Sequence, residues 1–308
     1  FPWASHADFD ALGLTEDDSR RDAVRLANPL ADTAPLLRTS LLPGLFGAVQ
    51  RNTSRGQDDL ALFEAGRVFF SAGDEASPLP GVQHRPPPAD LEAFGTTLPR
   101  QPRHLAAVLA GDWKPAGWEG AAERAGWQHT FGFAEVVADV LGIRLTRRAA
   151  SVAPWHPGRC AALEVDGSVV GYAGELHPGV VQACGLPART AALELDLDAL
   201  VDLLPGPGSI ASVSGHPVAK EDIALVVDES VPAADLQDAV VAGAGALLES
   251  VRLFDVYRGA PVPEGSKSLA FALRFRAPDR TLTAPEVTAA RDAAVAEASR
   301  RYGARLRA

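Results

Sequence analysis

From Ser268 to Arg276 the chain alternates strictly, with Leu269, Phe271, Leu273 and Phe275 at one parity and Ser268, Ala270, Ala272, Arg274 and Arg276 at the other. Successive strand side chains point to opposite faces, so this run reads as a strand with one apolar, buried face and one open face. The open face carries small residues followed by two cations. Whatever surrounds this strand must cover one side of a sheet and leave the other uncovered.

The neighbouring segments supply that cover. Glu221–Val227 and a run within Leu248–Tyr257 read as strands, Pro232–Ala244 and Thr283–Arg301 as helices, and Ala304–Arg307 as a short last strand. Thr283 and Glu286 have capping-box spacing, and Pro285 falls in the first turn, where a missing N–H is tolerated. The order β-α-β-β-α-β is that of a ferredoxin-like unit, with two helices on one face of a four-stranded antiparallel sheet. Ile223, Leu225 and Val227 turn to the core, which leaves Asp222, Ala224 and Val226 open; Asp255 and Tyr257 share a parity opposite to Phe254 and Val256.

An open surface of Ala224, Asp255, Tyr257, Ser268, Ala270, Arg274 and Arg276 suits a single-stranded RNA loop. Small residues let a base approach the sheet, and an exposed tyrosine offers stacking worth about 1–3 kcal/mol. Asp255 and Ser268 can hydrogen-bond base edges, and the arginines can meet phosphates. The same pattern also fits a Tyr257 that caps the core and an Asp255 that begins a turn, and a fold of this kind hosts many functions.

With 308 residues the chain has room for two domains. Pro205-Gly206-Pro207-Gly208 is the expected linker, giving domains over residues 1–207 and 208–308. Before it, strands are expected at Leu60–Phe70, His104–Leu109, Cys160–Val165, Val169–Ala173 and Ala191–Leu197, with a hairpin turn at Asp166-Gly167. Helical patterns fit Ala34–Asn52, with Pro35 in the first turn and an interruption at Pro43, and Phe131–Leu141, where Phe133, Val136, Val137, Val140 and Leu141 share a face. Pro78–Pro102 and Arg258–Gly265 read as loops. The fold class expected for the whole chain is α+β, with mainly antiparallel pairing in the first domain.

Charge narrows the function. The net charge is −10, which opposes a strong overall field for nucleic acid. From Ala211 to Ala308 there are 12 Lys+Arg against 13 Asp+Glu, a net of −1, so the preceding segment holds 17 against 26, or −9. RNA binding in the last segment would rest on base contacts and a local patch, with Lys267, Arg274, Arg276 and Arg280 followed by Arg300, Arg301, Arg305 and Arg307. No apolar run approaches the roughly 20 residues needed to span a bilayer. Two cysteines make no disulfide framework and the N-terminus is no signal peptide, so a cytoplasmic setting is expected. The chain has no methionine and begins Phe1-Pro2-Trp3; the expectation is a piece of a longer protein.

Arg252-Leu-Phe-Asp-Val-Tyr-Arg-Gly259, Pro263-Glu-Gly-Ser-Lys-Ser-Leu-Ala-Phe271 and Thr281-Leu-Thr with Glu286-Val287 together resemble the ferredoxin-fold anticodon-binding domain of bacterial phenylalanyl-tRNA synthetase β subunits. His216-Pro217 and Asp222-Ile-Ala-Leu-Val-Val227 resemble its opening. Upstream, Asn28-Pro-Leu30, Leu37-Arg-Thr-Ser-Leu-Leu-Pro-Gly44, Asn52, Arg55-Gly56, Leu62-Phe-Glu-Ala-Gly-Arg-Val-Phe69, His156-Pro-Gly-Arg159 and Gly171-Tyr-Ala-Gly-Glu-Leu-His-Pro178 resemble the catalytic-like module of the same family. The resemblance implies a class II synthetase-like fold without catalysis, supporting an α subunit in an (αβ)₂ ligase that charges tRNA(Phe). ATP and Mg²⁺ would be handled by α, with no cofactor in this segment. Arg38, Thr39, Ser40, Phe63, Glu64 and Arg67 are then expected to shape the subunit core and the α interface. Where the anticodon domain often has an arginine before the first-strand aspartate, this chain has Glu221 before Asp222, which puts a phosphate contact there in question.

No catalytic or metal residues are assigned. No glycine-rich strand-to-helix segment ending in arginine follows Leu62–Phe69, and Gly243-Ala-Gly245 lacks strand context. His156, Cys160 and His177 provide no evident fourth zinc ligand, and both histidines precede prolines as turn residues do. Two other readings stand beside the RNA-binding one. One is a scaffold whose open sheet recruits a protein partner, and the other is a metal enzyme built around His156 and Cys160.

Overall fold

The computed structural model describes residues 2–73, 81, 83–204, 206 and 215–307. The chain divides into two compact units, Phe1–Gly208 and Ser209–Ala308. Of the expected linker only Gly206 lies among the described residues.

The first unit begins with strand β1 (Trp3–Ala4), helix α1 (His6–Ala11), strand β2 (Leu36–Leu37) and helix α2 (Leu42–Thr53). Strand β3 (Leu60–Arg67), helix α3 (Pro88–Thr97), strands β4 (Arg103–Ala110), β5 (Asp112–Lys114) and β6 (Glu123–Arg124), and helix α4 (Trp127–Leu141) follow. Strands β7 (Thr146–Ala149), β8 (Trp155–Val165) and β9 (Ser168–Leu176), helix α5 (Pro178–Ala183), strand β10 (Ala191–Asp196) and helix α6 (Leu197–Asp202) complete it. Its main sheet runs β3-β4-β10-β9-β8-β7, every pair antiparallel. One core gathers α2 with Val108, Trp155 and Leu176; a second gathers α4 with Leu163, Leu193 and Leu195. Asp166 at φ 50° and Gly167 at φ 81° form the expected turn between β8 and β9, with Val165 opposite Ser168.

Four sequence expectations need correction. The helix expected from Ala34 starts only at Leu42: Pro43 occupies its first turn, the Leu42 N–H donates to Ser40 Oγ at 3.1 Å, and Leu36–Leu37 pair with β1 instead. The loop expected over Pro78–Pro102 contains helix α3, with Pro88 in its first turn. The strand expected to reach Leu197 stops at Asp196, whose carboxylate accepts the Ala199 N–H and caps α6. Helix α4 buries Thr130, Ala134 and Ala138, while Val136 is 59% and Val140 81% exposed. Small residues let α4 lie close on β9 and β10, so the buried stripe is set by size as well as hydrophobicity.

The second unit runs β11 (Ala219–Asp228), α7 (Ala233–Ala244), β12 (Leu248–Tyr257), β13 (Ser266–Phe275), α8 (Ala284–Tyr302) and β14 (Arg305–Leu306). Its antiparallel sheet has the order β12-β13-β11-β14, the β-α-β-β-α-β ferredoxin-like topology. Ile223, Leu225, Leu269, Phe271, Leu273 and Phe275 pack against Leu236, Val240, Val287 and Ala294 of the helices. No described helix is long and apolar enough to cross a membrane.

Helix α8 starts where the capping pattern places it. The Glu286 carboxylate accepts the Thr283 N–H at 2.9 Å and its hydroxyl at 2.8 Å, and takes Arg280 Nη2 at 2.6 Å. The Thr283 N–H first, then its hydroxyl and Arg280, hold Glu286 down from its ordinary 4.5 to about 2. A depressed carboxyl stabilises the fold above its unfolded value and loses that effect as pH falls through the folded one. Glu286→Gln should therefore lower the melting temperature at pH 7, with the gap to wild type closing between pH 4.5 and about 2. A gap of constant size across that range in thermal melts would show that the charge is not the cause.

Candidate nucleic-acid interface

The uncovered face of the second sheet is a grid fixed by strand register. Tyr257, Ser268 and Val226 lie abreast, with Arg305 beside Val226 on β14. Asp255, Ala270 and Ala224 form the next row, and the Arg307 N–H donates to the Ala224 carbonyl at 2.8 Å. Arg252, Ala272 and Asp222 form a third row, then Ser250, Arg274 and Lys220 a fourth. The centre of the face is a trough of small side chains, walled by Tyr257 and Asp255 on one edge and by arginines on the other.

The structure brings Ala224, Asp255, Tyr257, Ser268 and Ala270 together within two adjoining rows. Tyr257 is 37% exposed, and its hydroxyl donates to the Ala260 carbonyl at 2.8 Å, pinning the ring. A Cβ at Gly259 would meet that phenol, so glycine there leaves room for the ring. Asp255 is exposed at the β12 bulge. Ser268 differs from expectation: it is only 2% exposed, lying opposite Tyr257. Arg274 and Arg276 stand apart from the trough. Arg274 is two rows away and 3.8 Å from Glu249; Arg276 lies past the strand end, with Nε 2.9 Å from Glu249. Glu221 faces the helices, 3.4 Å from Arg291, so the departure from the family pattern sits on the covered side of the sheet.

Arg307, expected only as one of the cations of a local basic patch, joins the open-sheet site itself. Its guanidinium carbon lies 4.8 Å from the centre of the Tyr257 ring, reaching across the trough from the opposite edge. The signal was present: Arg305 and Arg307 are two apart, so a strand there puts both on one face.

In the first unit the expected interface residues split into two groups. Arg38 ion-pairs with Glu64 at 2.5 Å and donates from Nε to the Arg67 carbonyl at 2.9 Å, filling the space that a Cβ on Gly66 would need. The Thr39 hydroxyl donates to the Arg20 carbonyl and the Ser40 hydroxyl to Glu194, both at 2.6 Å. These four residues are internal braces. Phe63 points outward from edge strand β3 at 76% exposure, and Arg67 is exposed, donating to the Gln101 carbonyl at 2.8 Å.

A cleft of about 900 Å³ in this unit is lined by Arg20, Phe70, Arg100, His104, Trp155 and Glu194 among others. Its cations are engaged within the fold: Arg20 pairs with Asp18 at 2.7 Å, and Arg100 stacks 5.4 Å from the Phe70 ring centre. His156 and His177 serve as turn acceptors, for the Gly158 N–H at 3.0 Å and the Gly179 N–H at 3.1 Å. Burial pushes the Cys160 thiol up to about 11, which disfavours the thiolate a nucleophile needs.

Two family models match the chain: the phenylalanyl-tRNA synthetase β chain CLM domain over residues 1–197, and the ferredoxin-fold anticodon-binding domain over 214–307. The chain is 55% identical over 99% of its length to the phenylalanine–tRNA ligase β subunit of Cutibacterium acnes, covering 36% of that protein. It is 53% and 51% identical over its whole length to the β subunits of Thermobifida fusca and Streptomyces avermitilis, covering 38% of each. It thus spans little more than a third of the curated relatives it matches. The sequence, the fold and these similarities together show that the chain belongs to the phenylalanyl-tRNA synthetase β chain family.

Proposed function

We propose that this chain is the tRNA-gripping and scaffolding part of a phenylalanine–tRNA ligase β subunit, holding the anticodon of tRNA(Phe) on the open sheet of its second unit. The observation that carries this reading is the trough. Ala224 and Ala270 leave a base room to approach, Tyr257 supplies a ring to stack on, and Asp255 accepts hydrogen bonds from a base edge. Residues 208–308 are then the anticodon-binding domain and residues 1–207 a class II synthetase-like module without a complete active site. That module supports an α subunit within a cytoplasmic (αβ)₂ enzyme, where α handles ATP and Mg²⁺. Phe63 and Trp118, 76% and 95% exposed, are apolar surface of the kind a partner covers. Arg274 and Arg276, held near Glu249, take a peripheral role toward phosphates on this reading.

The assay is aminoacylation by the assembled enzyme carrying Tyr257→Ala. Losing one base–aromatic stack should raise KM for tRNA(Phe) roughly 5- to 150-fold, the equivalent of about 1–3 kcal/mol. ATP–pyrophosphate exchange, which does not use tRNA, should stay at the wild-type rate. A KM unchanged by the substitution would remove the open sheet from anticodon recognition.

A further inference from the structure

Three observations converge on Arg307. Its backbone N–H is tied to the Ala224 carbonyl at 2.8 Å, which roots the residue at the edge of the trough. Its guanidinium carbon sits 4.8 Å from the centre of the Tyr257 ring, across β11 and β13. Ser268, in the floor between them, is only 2% exposed although its parity is that of the open face. A base inserted between ring and guanidinium would need stacking contact on both of its faces, and the 4.8 Å separation accommodates only one such contact.

We propose that Arg307 is a displaceable plug: in the free protein it occupies the face of Tyr257 that a base would stack on, and RNA binding exchanges this cation–π contact for a guanidinium–phosphate contact. The inference rests on the trough being the RNA site. The Tyr257 ring is fixed by its hydrogen bond to Ala260, so opening falls to the flexible arginine side chain. Among the described residues Arg307 has no ion-pair partner, so its stack on Tyr257 opposes its release without a carboxylate to hold it. An exposed cation–π contact is weak enough to be exchanged. A phosphate offers the guanidinium a charge-assisted, bidentate replacement.

The test follows the Arg307 Nε–H resonance of the ¹⁵N-arginine-labelled chain. Comparison with Tyr257→Leu gives the ring-current shift in the free state. On addition of the tRNA(Phe) anticodon stem-loop, that shift should vanish and the resonance move downfield, as a phosphate-bound guanidinium does. Arg307→Leu should bind an uncharged nucleoside about two- to fivefold more tightly, the factor an exposed cation–π contact is worth. Its stem-loop affinity should depend less steeply on salt, with a log–log slope shallower by about 0.7, as removal of one arginine–phosphate pair on single-stranded RNA requires. A stem-loop that binds while Arg307 keeps its ring-current shift overturns the plug and leaves the RNA site standing. A stem-loop that fails to bind both this chain and the assembled enzyme overturns both.

Discussion

Glu194→Ala should destabilise the first unit by about 3–5 kcal/mol, because one carboxylate satisfies three groups inside the fold. Its oxygens take the Ser40 hydroxyl at 2.6 Å, the Leu41 N–H at 2.9 Å and His104 Nδ1 at 3.0 Å, joining the start of α2 to β10 and β4. Leu41 is fully buried and Ser40 nearly so, so both groups lose a partner inside the fold when the carboxylate is removed. Each buried group left unpaired costs about 1–3 kcal/mol. All five tryptophans, Trp3, Trp113, Trp118, Trp127 and Trp155, lie in this unit, so the urea dependence of tryptophan emission reads it selectively. A midpoint within experimental error of wild type would mean that the Ser40–Leu41 turn is held by other contacts. Glu194→Gln keeps the shape and one acceptor, and should recover part of the loss.

Phe271→Ala should cost the second unit about 3–5 kcal/mol, a large share of the roughly 5–15 kcal/mol that a small domain has in total. Phe271 is fully buried on the central strand β13, between Ile223 of β11 and Leu253 of β12, and packs under both helices. Ala270 and Ala272 flank it on the open face, so loosening this strand also disorders the trough. Amide exchange in β11 and β13 reads the effect directly: protection should fall by about two to four orders of magnitude if global opening governs it, at roughly tenfold per 1.4 kcal/mol. Protection unchanged in both strands would contradict the packing described. Phe271→Leu, a smaller change in volume, should lie between the two.

What could be read from the sequence follows from how local the determinants are. The alternation of Ser268–Arg276 fixed both faces of β13, and the Thr283–Glu286 spacing marked the start of α8; both are decided within one turn or one strand. The Asp166-Gly167 turn was legible for the same reason. On helix α4 Phe133, Val137 and Leu141 pack partly against the core as the pattern indicates, but Val136 and Val140 do not, because the fully buried stripe depends on how closely a sheet approaches and so takes Ala134 and Ala138. The bulge between Leu253 and Asp255 shifts parity along β12, so Arg252 joins the open face alongside Asp255 and Tyr257. The alternation places Ser268 on the open face, but its burial beside Tyr257 depends on neighbouring strands that one strand's pattern does not describe. Arg307 was visible as a base yet not as part of the site, because its partner lies at the opposite edge of the sheet.

If the open sheet of the second unit reads the anticodon of tRNA(Phe), a titration of this chain and its Tyr257→Ala variant should reveal it. The ligand is a fluorescent tRNA(Phe) anticodon stem-loop, compared with a mismatched anticodon at two salt concentrations, and the series is repeated with the assembled αβ enzyme. Binding should depend on the anticodon, weaken with salt and fall by about 1–3 kcal/mol in the variant. Equal affinity for matched and mismatched loops, or no binding by chain and assembled enzyme alike, would show that the anticodon is read elsewhere.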